Sequence, residues 1–115
     1  MLSRAGVFVC LLACLAACRE NSEPGEARAL RDQLGDDYRA WARVPGYETR
    51  RASDTAHGED VEIFWNELAR RSAEARPFDG LAPGAIVVKE AYRDDELLNV
   101  AVMEKRYEGW FWAEW

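Results

Sequence analysis

The sequence predicts an α+β domain in which an N-terminal helix and a short second helix pack on one antiparallel β-sheet. Three observations carry that expectation. Ala27, Leu30, Leu34, Tyr38 and Trp41 recur three and four residues apart, the stripe of an amphipathic helix. Val61, Ile63 and Trp65 alternate with Glu62 and Phe64, the period of a strand. From Ala85 to the end, three segments rich in β-branched and aromatic residues follow one another across short polar turns.

The chain opens with a different signal. Arg4 supplies a positive start, and Ala5 to Ala17 form a nearly continuous apolar run. A spanning helix needs about 20 apolar residues, so this shorter run reads as a cleaved export signal. It ends in Leu15-Ala16-Ala17-Cys18, which resembles a lipobox, and the resemblance implies cleavage before Cys18 and lipidation of its thiol. Leu11-Leu12-Ala13-Cys14 fits less well, because Leu12 stands where a small residue is wanted. The bland alternative is an ordinary secretory signal that contains cysteines. Arg19 is not the aspartate that often retains lipoproteins in the inner membrane, so a periplasm-facing anchor in the outer membrane is favoured. The expected division is residues 1–17 signal peptide, 18–26 lipidated Cys18 and a tether marked by Pro24-Gly25, and 27–115 a single domain.

Within the domain, the helix is expected from Glu26 to Arg43 and ends at Val44-Pro45-Gly46. An irregular polar stretch runs to Gly58, and the strand Val61 to Trp65 follows. Asn66 is placed to cap a helix over Glu67 to Ala75, which stops before Pro77, and residues 77–84 read as a loop. Ala85 to Tyr92 and Leu97 to Arg106 form a hairpin across the acidic turn Arg93-Asp94-Asp95-Glu96. Gly109 to Trp115 is the next strand of the meander.

Composition excludes several functions. Loss of Arg4 with the leader takes the net charge from −6 to −7, and no basic cluster remains to bind nucleic acid. All three cysteines lie at or before position 18, so the domain folds without a disulfide. His57 is the only histidine, which argues against a zinc site and against Ser-His-Asp or Cys-His catalysis. No metal site is expected.

The order and spacing of several motifs are similar to those of the cytochrome P-460 family. They are Tyr38-Arg39-x-Trp41, His57-Gly58 before a strand ending at Asn66, Gly84-Ala85-Ile86-Val87-Val88-Lys89-Glu90, Val102-Met103-x-Lys105, and Gly109-Trp110-Phe111-Trp112-Ala113-Glu114. The resemblance covers the chain from Tyr38 to its last residue. It implies a mostly β domain, a c-type haem, and chemistry of hydroxylamine or nitric oxide, with Lys89 matching the lysine that cross-links to haem in hydroxylamine-oxidising members. Those members carry a Cys-x-x-Cys-His motif after the aromatic strand, and this sequence contains none. The resemblance therefore implies the fold more than the cofactor. No covalent haem is expected from this chain alone, which is expected to be C-terminally incomplete.

Each candidate residue has a bland and a functional reading. Lys89 is one of only two lysines against 13 arginines, and a desolvated lysine can act as a nucleophile where arginine cannot. Its bland role is a strand lysine paired with Glu90 or a cross-strand acid. Glu90 and Glu104 could move protons, but strand carboxylates are mostly surface charges. His57 could ligate iron or simply occupy a turn. Met103 could ligate iron or fill the core. Trp110 and Trp112 share a strand face that suits ligand stacking or core packing. Lys89, Met103, Trp110 and Trp112 are the candidate ligand pocket. Three functions stay open: a haem protein of the P-460 type, a haem-free binding module on a lipid tether, and an interaction lipoprotein whose aromatic C-terminal strand pairs with another chain.

Overall fold

The structure, a computed structural model, describes residues 24–53, 59–75 and 80–115. It is an α+β fold with two helices packed on a six-stranded antiparallel sheet. His57 and Pro77 lie outside the described residues, as do Cys18 and the leader.

Helix α1 spans Pro24–Leu34. Pro24 suits the first turn, where its missing N–H would have had no intrahelical partner. Pro24 and Gly25, expected in the tether, thus belong to the helix. Glu26 in the first turn and Arg31 in the last complement the helix dipole. The helix stops at Leu34 rather than Arg43 because Gly35 turns left-handed (φ +50°) while its N–H donates to the Arg31 carbonyl at 2.9 Å. A 3₁₀ helix over Asp37–Ala40 follows, so Tyr38 still reaches the core.

Two short strands, β1 (Ala42–Arg43) and β2 (Arg51–Ala52), pair with opposite ends of β3 (Asp60–Trp65). Strand β2 falls in the stretch expected to be irregular. Asn66 then starts α2 (Glu67–Ala75) as expected. Its Oδ1 accepts from the N–H groups of both Ala69 (2.9 Å) and Ile86 (3.1 Å), so one side chain caps the helix and joins it to the next strand.

The expected meander is present as β4 (Ile86–Arg93), β5 (Glu96–Arg106) and β6 (Gly109–Glu114). The sheet order is β1-β3-β4-β5-β6, with β2 on the outer side of β3. Asp94 and Asp95 both adopt positive φ (49° and 67°), the handedness that matches strand twist in a two-residue hairpin. A register shift between Ala91 and Tyr92 leaves Leu98 as the extra residue on β5.

Leu30, Leu34 and Tyr38 cover one sheet face, against Phe64, Val88, Val102 and Phe111. Tyr38 meets the edge of Phe64 with ring centroids 5.6 Å apart. Each such fully buried side chain contributes roughly 1.5–3 kcal/mol.

Candidate functional site

Alternation along each strand assigns every side chain to one of two faces. Phe64, Val88 and Val102 mark the face under α1, so Ile63, Trp65, Val87, Lys89, Ala101, Met103, Trp110 and Trp112 lie on the other. The register builds rows across this outer face. Trp65, Val87, Met103 and Trp112 form one row over four strands, and Ile63, Lys89, Ala101 and Glu114 form the next. Lys89 is thus a diagonal neighbour of Met103. Trp110 lies one row further along, opposite Lys105, whose Nζ is 5.4 Å from the indole centroid.

All four residues of the expected pocket therefore occupy one sheet face. Lys89 is half-buried and pairs with no carboxylate among the described residues, so the expected partnership with Glu90 does not form. Adjacent strand positions point to opposite faces, which sends Glu90 the other way. Met103 is half-buried on the outer face instead of filling the core, and Trp112 is 54% exposed rather than packed inside. The core positions of their strands fall to Val102, Phe111 and Ala113. The face also holds two shielded polar atoms with no partner among the described residues, Trp65 Nε1 and Asn99 Oδ1.

The opposite face carries a polar cluster around Glu90, a residue whose type pointed to the surface. Glu90 is 0% exposed. Arg39 grips it with two hydrogen bonds, Nε to Oε1 at 2.9 Å and Nη2 to Oε2 at 3.3 Å. The Tyr92 hydroxyl donates to Oε2. Glu62, directly opposite Glu90 on β3, is held by Arg43 (3.0 Å) and Arg50 (3.4 Å). Glu104, the other candidate carboxylate, is half-buried on this same face and pairs with Arg106 at 2.7 Å.

Burial pushes the Glu90 carboxyl up, but Arg39 and then Tyr92 outweigh it and hold the group below the usual carboxylate range. Burial, reinforced by Glu90, pushes the Tyr38 hydroxyl up to about 12. Burial and the Glu90 hydrogen bond raise the Tyr92 hydroxyl as well. Glu90 is ionised and both tyrosines are protonated at neutral pH, so none is poised to exchange protons there. The cluster is a clasp that ties the 3₁₀ segment to the sheet. The signal for it was the parity of Ile86, Val88 and Glu90, which places all three on the core face.

Beside the clasp lies a cleft of about 440 Å³, lined by Arg31, Asp36, Tyr38, Arg39, Leu97 and Trp115. Its charged rim alternates in sign, and the Arg31 guanidinium lies 5.9 Å from the Trp115 ring centroid. Among the described residues, no group of three His, Cys, Asp or Glu side chains could hold a metal ion. No helix among them is long and apolar enough to cross a membrane. No protein-family model matches the chain, and no curated protein matches it.

Proposed function

We propose that the chain is a lipid-anchored envelope protein whose cytochrome P-460-like domain serves as a haem-free binding module for a small flat ligand on the Lys89 face. The observation that carries this reading is the register that sets Lys89 beside the row of Trp65, Met103 and Trp112 on a half-buried face. Indole surfaces favour flat apolar bodies, Met103 adapts to their outline, and the Lys89 ammonium supplies a charge for an acidic substituent.

The residues present do not fit a thioether-bound haem. Cys10, Cys14 and Cys18 all precede the sheet, and His57 is the only histidine. No step is derived through that cofactor.

The test uses the full chain in a bacterial host that lipidates exported proteins and matures c-type cytochromes. Palmitate labelling is expected, and to vanish in Cys18→Ala. The purified protein is expected to be colourless and negative by haem staining on a denaturing gel. A naphthalenedicarboxylate, added as a flat aromatic dicarboxylate probe, should quench tryptophan fluorescence. Lys89→Met should weaken that binding by about fivefold, the worth of a single partly solvated ion pair. A haem-staining band at the protein's mass would overturn the haem-free reading. Quenching unaffected by Lys89→Met and Trp112→Ala would overturn the assignment of the face.

A further inference from the structure

We infer that β6 is an interface that pairs antiparallel with β6 of a second copy of this chain, centred on Trp112. The argument starts from the hydrogen-bond phase of the β5–β6 ladder. Val100 and Trp115 exchange both backbone bonds, Val100 N–H to Trp115 O at 2.8 Å and Trp115 N–H to Val100 O at 3.0 Å. In an antiparallel ladder such pairs alternate with pairs whose backbone groups point away from each other. Ala113, Phe111 and Gly109 therefore bond inward to β5, while the N–H and C=O groups of Trp110, Trp112 and Glu114 point outward. Among the described residues no strand pairs with that outer edge.

The edge is self-complementary. Placing Trp112 opposite its own copy sets each Trp110 opposite the second copy's Glu114. All three outward-facing residues then meet outward-facing residues, and every pair can exchange two bonds. Shifting the register by two residues in either direction leaves only two such pairs. On the core side, the same register sets the large Phe111 opposite the small Ala113. On the outer side it continues the row of Trp65, Val87, Met103 and Trp112 into its mirror sequence. A groove of about 320 Å³ beside the end of the strand is lined by Ala27, Ala101, Trp112, Ala113 and Glu114.

Monomeric sheets commonly blunt an edge with lysine, proline or a bulge. β6 has none of these, and Trp112 is 54% exposed at its middle. Tryptophan at the centre of a symmetric contact is the residue type that dominates interface energies. The inference rests on register alone and not on the ligand reading above.

The test is sedimentation of the full chain in detergent across a dilution series, with amide hydrogen exchange alongside. The wild type should be a dimer in which the Trp110, Trp112 and Glu114 amides are protected, and their protection should fall on dilution. Trp112→Pro removes an N–H that points away from β5, so the circular dichroism spectrum should stay native. The dimer loses one donor from each copy and should weaken on the order of 30-fold or more. Trp112→Lys, which keeps the N–H but places a charge at the centre, should also dissociate it. A monomer at every concentration would overturn the inference. So would a dimer unaffected by both substitutions, or rapid exchange of the three outward amides within a dimer.

Discussion

Replacing Arg39 by methionine tests whether the clasp is a paired buried charge or a decorative ion pair. The substitution keeps much of the side-chain stem and removes both hydrogen bonds to Glu90. Breaking a fully buried pair by deleting one partner costs about 3–5 kcal/mol. Here Glu90 is 0% exposed but Arg39 is 46% exposed, so solvent screens one end. With Tyr92 still donating, the expected loss is about 2–3 kcal/mol. For a domain of this size that lowers the thermal midpoint by about 10–20 °C.

The pH dependence gives the sign. In the wild type the Glu90 pKa lies below its unfolded value, so its contribution is present above the unfolded pKa and lost as pH falls through the folded one. In Arg39→Met the burial penalty remains while the largest opposing influence is gone. Glu90 should then prefer its proton in the folded state, and its stability contribution should be lost as pH rises. The gap between the two proteins should therefore be wide at neutral pH and close on acidification through about pH 4. Thermal unfolding followed by circular dichroism across pH 3 to 8 measures it. Parallel curves would refute the reasoning, as would an Arg39→Met/Glu90→Leu protein no more stable than Arg39→Met alone, because removing both charges should recover most of the loss.

Other substitutions probe the joints of the fold. Asn66→Ala removes an acceptor shared by the Ala69 and Ile86 N–H groups and a donor to Gly84 O at 3.0 Å, and should cost about 2 kcal/mol by denaturant unfolding. Asn66→Asp, which keeps the acceptor, should cost less. Gly84 sits at φ +94°, and a methyl there would approach Leu68 Cδ2 at 2.9 Å, so Gly84→Ala should destabilise by about 1–3 kcal/mol. Adding Leu68→Ala should recover only the steric share of that loss, because the backbone strain remains. Asp95→Gly relieves a left-handed residue (φ 67°) but loses the 2.8 Å ion pair with Arg50. The turn term should win, raising the midpoint slightly, since an exposed ion pair is worth about 0–1 kcal/mol.

The sequence showed the parts of the fold that repeat a period over several residues. The meander from β4 to β6 was legible because its alternation runs unbroken between short turns. The cap at Asn66 was legible because one side chain announces it. The end of α1 was not, since Leu30, Leu34 and Tyr38 keep helical spacing across Gly35, and only backbone geometry reveals the switch to a 3₁₀ turn. Strand β2 was invisible because Arg51 and Ala52 carry no pattern of their own and are strand only by pairing with Val61 and Asp60. Parity placed Trp110 with Trp112, but only the register of β4, β5 and β6 brings Lys89 and Met103 onto the same face. Glu90 was misjudged by residue type although parity placed it inside. Its partner Arg39 lies 51 residues away, a separation that local pattern does not span.

The clasp also holds the register that sets Lys89 on the outer face. Glu62 and Glu90 stand directly opposite each other on neighbouring strands, a like-charge pair that weakens a sheet when left alone. Arg39, Arg43 and Arg50, all from the weakly structured stretch between α1 and β3, reverse that penalty. They pin the stretch to the sheet where it has only two-residue strands of its own. A one-residue slip of β4 would carry Glu90 to the outer face and Lys89 beneath α1, stranding Arg39 and burying an ammonium against Phe64 and Val102. The buried Glu90 carboxylate therefore determines which face the neighbouring lysine presents.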